Sequence, residues 1–187
     1  MKPNYYPKKI ALFSMVVAGV AALSMMPQQA AAEEKGISSK DQTFVSDAAE
    51  GGLAEIKMGK LGKEKGISPD IKMLSNMLVT DHLKANKKLE KIASEIGAKV
   101  PTSTGATQEA DYLLLKARSG HSFDKAFAEQ SVKDHQTTID LFEKEAKEGD
   151  DPALKAFAEK TLPTLKEHLS MSQRAAASLT KEESEKS

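Results

Sequence analysis

Four stretches of this chain place apolar residues three and four apart over several helical turns each, and that pattern leaves little but a bundle of long helices. Phe44, Val45, Ala48, Ala49, Leu53 and Ile56 share a face of the first; Ile71, Leu74, Leu78, Ala85, Leu89, Ile92 and Ile96 line the second. Phe123, Phe127, Ser131, His135, Thr138 and Phe142 follow the same spacing in the third, and Leu154, Ala158, Thr161, Leu165, His168 and Ser172 in the fourth. A helix advances 100° per residue, so these positions stack into one stripe that must be buried against a neighbour.

The punctuation between the stripes is as regular. Asp41 is placed to open the first helix, predicted over residues 41–64 and interrupted by Gly51, Gly52, Gly59 and Gly62. Those glycines imply either close approach of a second helix or a kink that opens space near Glu55. Gly66 closes it, and Ser68-Pro69-Asp70 opens the second, which runs to Ile96 and stops at Gly97; Ser caps, Pro fits the first helical position and Asp complements the dipole. The pattern then fails as far as Ser122 except for a short helix predicted over 107–117. Ser122 is the expected cap of the third long helix, to residue 147, and Glu148-Gly149-Asp150-Asp151-Pro152 is a stop and restart before the fourth, to residue 179. Pro163 inside the fourth is expected to kink it one turn before His168. Connections that run short, long, short give an all-α, four-helix bundle with one long crossover carrying a short extra helix, which is ferritin-like connectivity. The crossover lets the second and third long helices run parallel. Val79, Asp81, His82 and Leu89 match Val132, Asp134, His135 and Phe142 at equal offsets, which suggests two helix pairs related by a pseudo-twofold axis.

Ahead of the bundle, residues 1–32 read as a bacterial secretory signal. Lys2, Lys8 and Lys9 precede an apolar run from Ile10 to Met26, Pro27 breaks it, and Ala30-Ala31-Ala32 offers a cleavage site. The expected location is periplasmic or secreted, with residues 33–40 a flexible leader, 41–179 the bundle and 180–187 a disordered tail. A retained N-terminal anchor is the competing reading, since about 18 apolar residues span a bilayer; no later run is long enough. The chain has no Cys, which removes disulfides, thiol catalysis and a lipid anchor through an N-terminal Cys. Cleavage would remove three of 27 basic residues and leave 27 acidic ones, so 24 − 27 = −3. A chain so charged, with few aromatics, is no nucleic-acid binder.

The chemistry concentrates in the histidines. Of four, His82 and His135 sit in matched Asp-His pairs and His168 holds a similar place in the last helix. With Glu55 they make one inward polar residue per helix, and helices about 8–10 Å apart let four such side chains meet. Three imidazoles and a carboxylate suit zinc, iron or copper. Asp81, Asp134 and Glu167 each precede a histidine; a residue one position away points about 100° around the helix, so each is placed to reach the histidine of an adjacent helix and support a metal ligand from behind. A hydrogen-bonded network that fixes the register of the bundle is the alternative. Met58, Met73, Met77 and Met171 raise a copper variant against their ordinary role as core filler; His121 reads as a capping or surface residue. No phosphate loop, nucleophile elbow or HExxH sequence is present.

An ordered set of motifs resembles the secreted bacterial family called domain of unknown function 4142: Phe44-Val45-x-x-Ala48-Ala49-Glu50-Gly51-Gly52-Leu53-Ala54-Glu55, Met77-Leu78-Val79-x-Asp81-His82, Ser119-Gly120-x-x-Phe123-Asp124-x-Ala126-Phe127, Val132-x-Asp134-His135 and Leu162-Pro163-x-Leu165-x-x-His168. The resemblance spans residues 41–173 and implies a ferritin-like fold without an established activity. Di-iron relatives of that fold use Glu-x-x-His pairs, which this sequence lacks, so di-iron chemistry is not implied. Three functions therefore stand at this point. The first is an exported, non-enzymatic binding or stress-related envelope protein holding a transition metal, with an envelope protein or a second copy as partner. The others are a metal-dependent oxidoreductase at the same residues and a purely structural bundle.

Overall fold

The computed structural model describes residues 36–186, without the Lys186 side chain; the signal read over 1–32 lies outside them. Five helices follow: α1 Ser39–Lys65, α2 Pro69–Ile96, α3 Ala106–Lys116, α4 Gly120–Glu148 and α5 Pro152–Lys186. Ser68 caps α2 by accepting from the Asp70 N–H, and Gly97 ends that helix in the left-handed region at φ 73°, where a side chain would be strained. Two helices start earlier than their sequence signals. Ser38, not Asp41, caps α1, so Ser39 and Lys40 are helical rather than leader. Ser119, not Ser122, precedes α4. The tail beyond Thr180 is helical through Lys186, where a Lys/Glu-rich segment with Lys181 and Glu185 one turn apart at 3.8 Å favours helix, and where Glu183 meets Lys125 at 2.6 Å. None of these helices among the described residues is long and apolar enough to cross a membrane.

Contacts at the two ends fix the direction of each helix. Lys40 at the start of α1 pairs with Asp150 just beyond α4 (2.9 Å), and Lys65 at the end of α1 reaches the Lys116 carbonyl just before α4 begins. α1 and α4 are thus antiparallel, and α2 and α4 parallel. α2 ends where α1 begins, with the Gln42 side chain bound to the Lys99 backbone at both 2.8 and 2.9 Å. The chain must therefore travel the length of the bundle before α4, and residues 97–105 and α3 do so. α3 lies against α1 and α4, held by Lys57, which pairs with Glu109 at 2.5 Å and sits 4.0 Å over the Tyr112 ring. α1 and α2 pack closely because α1 has glycines where they meet. A Cβ on Gly59 would lie 2.9 Å from the Ser75 carbonyl oxygen, and one on Gly62 would run into the Ser75 hydroxyl and the Phe127 ring. Of the two readings of those glycines, close approach is the one seen at Gly52, Gly59 and Gly62, while a Cβ on Gly51 would meet nothing.

The two hairpins, α1–α2 and α4–α5, are joined by reciprocal clamps. Asp124 of α4 accepts from the Ile67 and Ser68 N–H groups in the α1–α2 turn, at 3.1 and 2.7 Å. Asp41 of α1 accepts from the Asp150 and Asp151 N–H groups in the α4–α5 turn, at 3.0 and 2.8 Å. Both carboxylates are almost fully buried. The equivalence runs at a constant offset of 83: Asp41 with Asp124, Phe44 with Phe127, Gly66 with Gly149, Ser68 with Asp151, Pro69 with Pro152. The pseudo-twofold therefore pairs α1 with α4 and α2 with α5. This corrects the equivalence of α2 with α4 suggested by the Asp-His pairs, whose offset is 53. A four-residue match is too short to define a repeat; the clamps, caps and prolines define it.

Two apolar clusters fill the bundle. Phe44, Phe142 and Phe157 anchor the one nearer the start of α1, with ring centroids 5.1 to 6.4 Å apart. Phe123 and Phe127 anchor the other. Along α2, α4 and α5 the stripe passes from one cluster to the other through His82, His135 and His168.

Candidate functional site

The three histidines form a buried triangle with ring centroids 5.3, 5.4 and 5.7 Å apart. Each offers a ring nitrogen within 4.8 Å of the other two. They come from three helices, and each is the polar step in an apolar stripe: four residues past Leu78, four past Ser131 and three past Leu165.

Their hydrogen-bond partners assign the ring protons. The Ser131 carbonyl, 2.9 Å from His135 Nδ1, can only accept, so Nδ1 carries the proton and Nε2 of the neutral ring is a lone pair. Asp81 Oδ2 stands 3.0 Å from His168 Nε2, so that nitrogen is the donor and Nδ1 of the neutral ring is the lone pair. His135 Nε2 and His168 Nδ1 face each other across 3.3 Å. Two neutral rings held this way present lone pair to lone pair. His82 adds a third nitrogen, Nε2, buried with no partner among the described residues. Burial and the neighbouring rings hold His82 well below its ordinary 6.5, and burial brings His135 to about 4; a neutral imidazole is the form that ligates a metal.

Glu55 is buried beside this triangle but on the far edge of His135. Its Oε1 lies 3.6 Å from Nδ1, the nitrogen committed to Ser131, and its Oε2 has no partner. It falls outside the set of converging ligand atoms. Burial, with Asp134 adding, lifts its carboxyl well above the usual range. Of the three flanking acids, Asp81 crosses from α2 to His168 of α5. Asp134 instead accepts from Gln130 at 2.8 Å and is raised to about 6 by burial, with Asp111 adding; it bonds to no histidine among the described residues. Glu167 is solvent-exposed: its helix buries the His168 face, and the 100° step turns Glu167 to water. Met58 and Met171 pack in the apolar cluster below, Met77 packs at its margin and Met73 is half exposed. His121 approaches Glu183 at the surface, at 3.8 Å.

Ser131 and Ser172 complete the layer. Ser172 Oγ–H donates to the His168 carbonyl at 2.8 Å, which leaves the Ser131 hydroxyl to donate to Ser172 Oγ, also at 2.8 Å. That orientation turns a Ser131 lone pair towards His135 Nδ1–H, 3.4 Å away, and reinforces the same tautomer. The signal for both serines is in the sequence: each stands one helical turn from a histidine on the buried face, where an alanine would otherwise serve.

One pair of these nitrogens has the spacing of two ligands on a single metal ion, within a set of three that spans up to 4.8 Å. Metal–nitrogen bonds of about 2.0–2.1 Å at tetrahedral angles separate two ligand nitrogens by about 3.3–3.4 Å, the spacing between His135 and His168. Each of these two rings also has its second nitrogen held by an acceptor, Asp81 or the Ser131 carbonyl, as metal-binding imidazoles do.

No curated protein matches the chain. Among solved structures, a DUF305 fragment from Deinococcus radiodurans superposes with a TM-score of 0.66 over 76% of this chain and 98% of that one, at 10% identity; at that identity the likeness speaks for the fold alone. The family described as "Domain of unknown function (DUF4142)" matches residues 26–175. With its motifs set along helices that cap, clamp and bury as described, this chain belongs to that family.

Proposed function

We propose that this protein is a metal-binding bundle of the bacterial cell envelope, holding one transition-metal ion on His82, His135 and His168. The observation that carries this reading is the pair of facing nitrogens, His135 Nε2 and His168 Nδ1, 3.3 Å apart in the buried core, with a third unpartnered nitrogen on His82. Unpaired polar groups in a core cost roughly 1–3 kcal/mol each, and one cation relieves all three. The binding role is favoured over a reaction because the residues around the triangle, Ser131, Ser172 and Asp81, are committed to holding the rings. The envelope location rests on the Lys2 to Ala32 signal.

The competing occupant of the gap is a proton. With a proton in the gap, one of the two facing nitrogens would donate to the other across 3.3 Å and turn the layer into a structural network. Metal analysis separates the two. Full-length protein purified without a polyhistidine tag and incubated with Zn²⁺, Cu²⁺ or Fe²⁺ is expected to retain one ion per chain. At about a thousandfold excess over Kd the ion stabilises the fold by about 4 kcal/mol, reversed by chelator. His82→Ala, His135→Ala and His168→Ala are each expected to lose the ion. Protein that stays metal-free, with a melting temperature blind to metal and chelator, has the proton network instead.

A further inference from the structure

Beside His82 the core contains a cavity of about 20 Å³ walled by all four bundle helices. A space of that size takes one or two small molecules. Its origin lies in the internal repeat. At the offset of 83, Gly52 stands opposite His135, Ala85 opposite His168, Thr138 opposite Glu55 and Leu165 opposite His82, and all four line the cavity. Where one half of the pseudo-twofold carries two imidazoles and a carboxylic acid, the other carries a glycine, an alanine and a threonine. The hollow is the vacated equivalent of the histidine layer, and His82 belongs to both.

The walls are not uniformly apolar. The Asn86 amide packs over Gly52, where a Cβ would collide with it, and Thr138 faces the space from α4. Neither side chain has a hydrogen-bond partner among the described residues. Three imidazoles leave a tetrahedral ion one position short, and Glu55 lies behind His135, away from the ligand face. The fourth ligand must come from elsewhere, and the cavity borders His82, whose buried Nε2 has no hydrogen-bond partner among the described residues.

We propose that the cavity is the exchangeable coordination position of the metal centre, a site for an exogenous ligand of two or three heavy atoms such as a dioxygen species or a small linear anion, bound on the metal and steadied by the Asn86 amide and the Thr138 hydroxyl. This rests on the metal reading. The test uses Cu²⁺-loaded full-length protein, with copper stoichiometry measured first, titrated with azide. A saturable charge-transfer band is expected. Thr138→Leu fills the hollow and is expected to keep its copper while azide affinity falls at least about tenfold, the scale of a steric clash in a packed core; Ala85→Val tests the same volume from α2 if that variant fails to fold. Asn86→Ala removes one donor and is expected to weaken azide about two- to tenfold. Copper bound without an azide band, or azide bound equally by the filled variants, overturns the proposal. Absence of copper overturns the metal reading itself and is seen before azide is added.

Discussion

The clamps and the histidine layer both bury polar groups, and the two are paired differently. In the clamps, Asp41 and Asp124 are almost fully buried, yet each accepts two backbone N–H groups from the turn of the other hairpin. In the histidine layer, His82 Nε2 and Glu55 Oε2 have no partner among the described residues, and two other ring nitrogens face each other at 3.3 Å. The clamps obey the internal twofold; the histidine layer breaks it, since His135 and His168 face Gly52 and Ala85 across the axis. Buried polar groups with full hydrogen bonding hold a fold together, whereas incompletely paired ones, Glu145 Oε1 beside the Asp41 clamp included, call for another explanation. Asp41 and Asp124 thus belong to the architecture, and the contrast supports the proposed metal-binding role of the histidines.

The largest effect expected from breaking the comparison lies on the clamp side. Asp124→Ala strands two turn N–H groups and should cost about 3 kcal/mol, lowering Tm by roughly 10 °C for a chain of this size. Asp41→Ala should match it within about 1 kcal/mol, because the two clamps are equivalent; urea denaturation of both variants checks this, and a clear inequality would undo the twofold argument. On the histidine side, Asp81→Asn should weaken metal affinity about 10–100-fold with little change in the melting temperature of the metal-free protein. A metal titration followed by calorimetry reads both numbers.

A pH experiment sharpens the contrast further. Glu145, beside the Asp41 clamp, is raised from its ordinary 4.5 to about 7, chiefly by burial, with Asp41 adding. The folded chain then holds a proton that the unfolded chain releases above about 4.5, so this group's contribution falls as pH rises from about 4.5 through 7. His135, lowered to about 4, works the other way: its contribution is present above 6.5 and falls as pH drops from 6.5 through 4. Melting curves of Glu145→Gln and the parent protein should converge near pH 5 and separate by pH 8, the variant being the more stable. The smallest effect is reserved for Glu55→Gln. Glu55 stands behind His135, outside the converging ligand atoms, and the amide keeps its shape, so metal affinity should stay within a few-fold; a loss of a hundredfold would place Glu55 on the metal after all.

Much of the architecture was legible because helix signals are local. Ser68-Pro69, Gly97 and Asp151-Pro152 act within a turn of themselves, and the apolar stripes need only 100° per residue to be recognised. The start of α1 was misplaced for a related reason. Asp41 has the chemistry of a cap, but its side chain serves a turn more than a hundred residues away, and Ser38 caps in its stead. Asp124 gave no local signal because its partners, Ile67 and Ser68, are remote in sequence. The crossed pairing of Asp81 with His168 was foreseeable from the 100° step, but that Asp134 and Glu167 make no such crossing depends on which helices are neighbours.

The residues by themselves thus determined an all-helical chain with one crossover and three inward histidines, since periodicity, capping and loop length are properties of short segments. Only the tertiary structure decided which hairpin clamps which, that Glu55 stands behind the ring rather than on the ligand face, and that the repeat leaves a hollow beside His82. Those are relations between side chains on different helices, set by packing distance and by which hydrogen-bond acceptor each ring meets.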